Sequence, residues 1–187
     1  MLEQLAGDRR STEHRLWEPW FAAADRMARR FLKEWEDDPF AYNETASVGT
    51  LAAAAARAGY SALVDYVATK GRLDDRRHSR PGRCDMWLGT EGRAWAFEFK
   101  QRHAGSRGIR GLRRGLGDAI ESARCVRKVH GKRVAGLIVS LAWLDDDAFV
   151  VAERKLAMLA GEVDFAWRFA ASRGEPYRTY VFLSLID

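Results

Sequence analysis

The stretch RAWAFEFKQ at 93–101 constrains the fold of this chain more than any other segment. Successive side chains of a strand point to opposite faces of a sheet, so three aromatic residues share one face here, while Glu98 and Lys100 share the other. The aromatic face requires a buried core. The opposite face presents a carboxylate beside an ammonium group, which indicates either a surface ion pair or a binding site. The aromatic residues are Trp95, Phe97 and Phe99.

The segment before this strand predicts its hairpin partner. RCDMWLG at 83–89 reads as a strand, and the Thr-Glu-Gly turn that follows leads directly into the strand at 93–101. In such a hairpin Asp85 lies near Glu98 with its side chain on the same face. The sequence therefore predicts two carboxylates and one lysine close together on a sheet.

The remaining segments alternate between helical and strand patterns, which predicts an α/β fold. At 187 residues the chain has the length of one domain. Asn43 is expected to cap a helix that carries Glu44 in its first turn. The other predicted elements are a helix at 11–38, a strand at 60–69, a polar loop at 71–82, a helix at 109–129, a buried central strand at 133–144, and a helix followed by two strands at 145–187.

Positive charge is concentrated in one part of the chain. The net charge is +5, but residues 101–133 hold ten Lys and Arg against two acids. A concentrated basic stripe indicates a polyanionic partner, although a solvated helix face has the same composition. We expect nucleic-acid contacts from the loop at 71–82 and from the start of the following helix. The residues concerned are Arg76, Arg77, Arg80, Arg107, Arg110, Arg113 and Arg114.

The predicted carboxylate pair suits a hard divalent cation. Mg²⁺ prefers oxygen ligands and keeps several of its waters, so two carboxylates on a strand pair are a suitable site. A lysine beside that site can orient an attacking water and stabilise negative charge on a phosphate. Asp85, Glu98 and Lys100 therefore predict the chemistry of phosphodiester hydrolysis.

These residues resemble the PD-(D/E)XK nuclease superfamily. The resemblance lies in RCDMWL followed by AFEFKQ, with Glu44 on an upstream helix, and it covers roughly residues 43–142. It implies a restriction endonuclease-like three-layer core, in which helices flank a central mixed sheet, with the helix at 11–38 as an N-terminal extension. Cys84 precedes Asp85 where many members have Pro, which is a departure from the family pattern.

The resemblance also implies the role of each site residue. Asp85 and Glu98 are implied as metal ligands for Mg²⁺ or Mn²⁺, with Glu44 as an additional acid from the helix. Lys100 is implied as the catalytic lysine, and Gln101 matches the polar residue that often follows it. The expected function is thus that of a magnesium-dependent DNA-binding hydrolase, an endonuclease or exonuclease.

Two other functions remain open at this point. The same fold can serve as a catalytically inactive nucleic-acid-binding or assembly module, or the Trp-rich N-terminal helix can bind a partner chain. The expected partners are DNA and a second copy of the chain, without a membrane. The two cysteines, Cys84 and Cys125, form no CxxC pair, which favours a cytoplasmic protein over a disulfide-bonded one.

Overall fold

The computed structural model of the protein describes residues 2–71, 79–104, 108–141, 144, 146–170 and 178–187. Within these ranges no helix has both the length and the apolar composition needed to cross a membrane. The described elements are β1 Glu3–Ala6, α1 Thr12–Trp35, α2 Glu44–Arg57, β2 Ser61–Gly71, β3 Ser79–Thr90, β4 Arg93–His103, α3 Gly108–Cys125, a short 3-10 helix at Lys128–His130, β5 Lys132–Ser140, α4 Asp146–Ala160, β6 Phe165–Ala170 and β7 Arg178–Ile186.

The strands form one mixed sheet in the order β1-β6-β7-β5-β4-β3-β2. β4 and β5 are parallel, and α3 makes the crossover between them, as parallel neighbours require. The other neighbouring pairs are antiparallel. Helices α1 and α2 pack on one face, and α3 and α4 pack on the other. The predicted α/β class, with a mixed sheet between helices, is confirmed.

The aromatic face of β4 is the centre of the main core. Trp95, Phe97 and Phe99 have no exposed surface. Two tryptophans of α1 pack against them: the rings of Trp17 and Trp95 are 5.8 Å apart, and those of Trp20 and Phe97 are 5.4 Å apart. Trp17 and Trp20 are fully buried in this chain's own core, whereas Trp35, the third tryptophan of α1, is 69% exposed at the end of the helix.

Helix α1 begins where the sequence predicts and ends earlier. Ser11 caps it, with its hydroxyl accepting a hydrogen bond from His14 N. The helix ends at Trp35 rather than at Asp38, because Glu36 adopts a left-handed conformation with φ 54° and its N–H bonds to Leu32 O. The buried face of the helix, which includes Trp17 and Trp20, packs in the main core on the sheet.

Strand β5 is the buried centre of the sheet. All of its residues from Arg133 to Ser140 are buried, which confirms the predicted central strand. A Cβ on Gly136 would lie 2.3 Å from the Phe99 ring, so glycine is required for the two strands to pack at this point. The strand ends at Ser140, short of the predicted 144.

Three further features differ from the sequence prediction. β1 was not expected; it is a four-residue edge strand that pairs with β6, too short to show a period-2 pattern. β3 begins at Ser79, inside the predicted loop at 71–82, where Ser79 pairs with Gly71. α3 ends at Cys125 rather than at 129, because Val126 forms a bridge to Lys70 at the end of β2.

Candidate active site

Asp85 lies where β3 separates from β4. The ladder between the two strands ends at the pair Met86↔Phe97, and one further step would place Asp85 opposite Glu98. The ladder does not continue there; the Asp85 carboxylate instead accepts a hydrogen bond from Phe99 N, with 2.7 Å between Oδ2 and N. The Asp85 carboxylate thus accepts the hydrogen bond that a backbone carbonyl would accept in a regular ladder. This bond from β4 fixes the position of the side chain.

The side-chain alternation of β3 is interrupted at the same residue. Cys84 and Met86 are two positions apart and would share a face in a regular strand. Cys84 packs with Ala96 on the α3 side of the sheet, whereas Met86 packs in the main core under α1. Asp85 therefore lies at a local irregularity of β3. Its carboxylate points towards β4 at the place where the ladder between the two strands ends.

Glu98 is buried and ion-paired with a lysine that the sequence analysis did not identify. Its side chain is 4% exposed, and Lys70 Nζ lies 2.7 Å from its Oε1. The contact is a charge interaction without hydrogen-bond alignment, because Oε1 has no partner that satisfies hydrogen-bond geometry. Lys70 is at the end of β2, and it reaches Glu98 across the intervening strand β3.

The pKa of Asp85 shows which charges surround it. Burial raises this pKa to about 6, and the neighbouring charges of Glu98 and, more weakly, Glu44 act in the same direction. The hydrogen bond from Phe99 N and the charge of Lys100 oppose the rise. The structure therefore brings together the three predicted acids and the predicted lysine within electrostatic reach of one another.

Glu44 holds Lys100 from the first turn of α2. The Asn43 side chain caps this helix by accepting a hydrogen bond from Ala46 N, as predicted. Glu44 Oε1 lies 3.3 Å from Lys100 Nζ, and its Oε2 accepts a hydrogen bond of 3.1 Å from Gln101 N. Lys100 also donates to the carbonyl oxygen of Phe99. The lysine is thus fixed beside the acids and stays partly exposed, at 27%.

Gln101 connects β4 to the segment that leads into α2. Its Oε1 accepts a hydrogen bond of 2.7 Å from Ser47 Oγ, and its Nε2 donates one of 2.8 Å to Phe40 O. Both ends of the amide are therefore occupied by protein groups. These contacts give Gln101 a positioning role, since they hold the end of β4 against the helix that carries Glu44.

The acid pair fits a divalent cation that has few protein ligands. Within the described residues there is no group of three or more His, Cys, Asp or Glu side chains arranged to hold a metal ion. Mg²⁺ needs one or two carboxylates and completes its shell with water and substrate oxygens. Asp85 and Glu98 are such a pair. The negative charge of Glu98 disfavours ionisation of Asp85, and a bound cation would offset this repulsion. Both oxygens of Glu44 already contact protein groups, Lys100 Nζ and Gln101 N. Its role as a metal ligand therefore stays a prediction.

The predicted DNA-contacting arginines lie on several surfaces. Arg80 lines a cavity of about 370 Å³ together with Lys70 and Arg83, between β2, β3 and the end of α3. Arg110 and Arg114 line a larger cavity between α3 and α4. Arg113 is on the same helix but pairs with Glu162, with Nε 3.0 Å from Oε2. Residues Arg76, Arg77 and Arg107 lie outside the described ranges.

Comparison with known proteins adds no assignment. No protein family, curated protein or solved structure matches this chain. The function is therefore argued from the site itself.

Proposed function

We propose that this protein is a metal-dependent nuclease of the PD-(D/E)XK type that hydrolyses DNA phosphodiester bonds. The observation that supports this most strongly is the grouping of two carboxylates, the buried Glu98 and the partly buried Asp85, beside a partly exposed Lys100. A cluster of like charges with a raised pKa is costly to the fold, and such clusters are concentrated at functional sites. Their residue types are those that phosphodiester hydrolysis requires.

Asp85 and Glu98 are the residues that hold Mg²⁺ or Mn²⁺ in this proposal. When bound, the ion supplies Lewis-acid polarisation of the phosphate and lowers the pKa of a bound water. The protein prepares this site in two ways. Phe99 N fixes the orientation of the Asp85 carboxylate, and Lys70 balances the charge of Glu98 in its buried position.

Lys100 acts on the scissile phosphate. Its ammonium is held by the Glu44 carboxylate and the Phe99 carbonyl, so it keeps a defined position without being fully enclosed. A fixed positive charge next to the phosphate stabilises the negative charge that develops as water attacks. Glu44 and Gln101 position this lysine and the end of its strand.

The DNA backbone contacts surfaces on either side of this site. Arg80 lies with Lys70 at one cavity, and Arg110 and Arg114 lie at another. Contacts of arginine with backbone phosphates release counterions, so binding falls steeply as the salt concentration rises. We expect a marked loss of DNA affinity between low and physiological salt.

A plasmid-nicking assay tests the proposal. Purified protein is incubated with supercoiled plasmid in Mg²⁺ or Mn²⁺, and in EDTA as control. We expect metal-dependent nicking by the parent protein, none by Lys100→Ala, and unchanged nicking by Lys33→Ala, which removes an equal charge from an exposed position on α1. Lys100→Ala should still bind DNA in a gel-shift assay. Equal cleavage by Lys100→Ala and the parent would refute the assignment.

A second function is favoured by one feature of the site. Glu98 pairs with Lys70, and Glu44 pairs with Lys100, so two of the three acids are neutralised by the chain itself. A site of this kind is compatible with a catalytically inactive nuclease-like module that binds nucleic acid or serves as a subunit of an assembly. Salt-dependent binding without nicking in either metal would support this alternative.

A further inference from the structure

A second cavity lies beyond Lys100, where β4 ends against α3 and α4. Its volume is about 650 Å³, within the range of roughly 300–1,000 Å³ typical of small-molecule sites. Four cationic side chains and one apolar helix face contribute to its walls. The residues that matter here are Arg102, Arg110, Arg114, Lys155, Ala148 and Ala152.

The charge of this cavity favours an anionic ligand. Asp118 is the single acid among the described lining residues, and it pairs with Arg102 at 3.1 Å. Arg110 and Arg114 come from consecutive turns of α3, and Lys155 comes from α4 opposite them. Three cations, Arg110, Arg114 and Lys155, therefore remain in excess of the Arg102–Asp118 pair. Arginine and lysine are the side chains that bind phosphate groups.

The opposite wall is suited to an apolar ring. Ala148 and Ala152 are four residues apart on α4 and share one face of that helix, and Val151 adjoins them. These side chains are small, so they leave space beside the cations that a phosphate alone does not fill. A ligand that has both a phosphate and a planar apolar part satisfies both walls.

The cavity is next to the proposed cleavage site. Arg102 follows Lys100 by two positions on β4, so the two side chains leave the same face of the strand about 6.6 Å apart. A group bound at Arg102 therefore lies beside the scissile phosphate that is proposed to bind next to Lys100.

We propose that this cavity binds one nucleotide, with its phosphate on the arginines and its base against Ala148 and Ala152. The nucleotide is either a free mononucleotide or one unit of a DNA strand that extends from the cleavage site. The second source rests on the proposed nuclease function; the first does not. Nucleotide binding is measured in EDTA, so the result is independent of whether the protein cuts DNA.

Titration calorimetry with three probes tests the chemistry of the ligand. The probes are deoxyadenosine monophosphate, inorganic phosphate and deoxyadenosine. We expect the monophosphate to bind at least tenfold more tightly than either of the other two, because only it contacts both walls. Equal binding of inorganic phosphate and the monophosphate would overturn the proposal.

Three variants locate the binding to this cavity. Arg110→Ala removes a cation from the wall, and Ala152→Trp fills the space without changing the charge. Arg124→Ala is the matched control, since it removes the same charge from an exposed position in the last turn of the same helix, away from the cavity. We expect at least tenfold weaker binding in the first two and less than a twofold change in the control. Equal losses in Arg110→Ala and Arg124→Ala would show general charge attraction and overturn the proposal.

A competition experiment distinguishes the two sources. Labelled single-stranded DNA is bound to the protein in EDTA, and deoxyadenosine monophosphate is added. Displacement that depends on Arg110 assigns the cavity to a unit of the DNA strand, whereas simultaneous binding assigns it to a free nucleotide. If the monophosphate does not bind, the proposal fails, and the plasmid assay still decides the nuclease function separately.

Discussion

The two faces of β4 make opposite contributions to the protein. One face carries Trp95, Phe97 and Phe99, fully buried in an aromatic core. The other carries Glu98, which is equally buried but charged, and Lys100 next to it. Burial of aromatic surface stabilises the fold, whereas burial of a carboxylate destabilises it unless a partner compensates. The aromatic face therefore stabilises the fold, while the opposite face holds the charged groups of the proposed site at a cost to stability.

The largest effect is expected on the aromatic face. Phe97 packs against both Trp17 and Trp20 and has no exposed surface. Phe97→Ala should therefore lower the free energy of unfolding by about 3–5 kcal/mol, measured by urea denaturation. Val67→Ala is the control, because Val67 is 71% exposed, and its effect should be within about 0.5 kcal/mol. A loss below about 1 kcal/mol for Phe97→Ala would contradict this description of the core.

A smaller destabilisation is expected when Glu98 loses its partner. Lys70→Met leaves the buried Glu98 carboxylate without its partner, which should cost about 2–3 kcal/mol of unfolding free energy. The double variant Lys70→Met/Glu98→Gln should regain most of that loss, because no buried charge remains. Mg²⁺ should also stabilise Lys70→Met more than the parent. Strictly additive effects in the double variant would show that the two groups do not interact.

Asp85 should show an effect of opposite sign. Its ionised form is disfavoured by burial and by Glu98, so Asp85→Asn should raise the free energy of unfolding by about 1–2 kcal/mol at pH 7 in EDTA. The same variant should abolish cleavage. Asp65→Asn on the neighbouring strand is the matched control: Asp65 is exposed and paired with Arg83, so its removal should change stability by less than about 1 kcal/mol. A clear destabilisation by Asp85→Asn would mean that the carboxylate serves structure rather than chemistry.

The hairpin and its three charged residues were predictable from local patterns. The alternation in β4, the turn at Glu91 and Gly92, and the cap at Asn43 each depend on residues close in sequence. Turn chemistry and side-chain alternation are local, so they can be read without knowledge of the fold. This is why Asp85 was expected beside Glu98.

The features that escaped prediction depend on contacts between distant segments. Lys70 and Glu98 are 28 positions apart and meet across strand β3, so no spacing in the sequence indicates the pair. The cavity between α3 and α4 likewise arises from the packing of two helices. The hydrogen bonds that Gln101 accepts from Ser47 and donates to Phe40 are also long-range. They indicate a positioning role for Gln101, which the sequence identified only by its place after Lys100.

Binding of Mn²⁺, measured by electron paramagnetic resonance, tests the central claim most directly. The claim is that Asp85 and Glu98 together hold one divalent cation. We predict one Mn²⁺ site in the parent and in Asp65→Asn, and loss of that site in both Asp85→Asn and Glu98→Gln, with all four proteins shown to be folded. Mn²⁺ binding that is the same in all four, or absent from the parent, would contradict the claim.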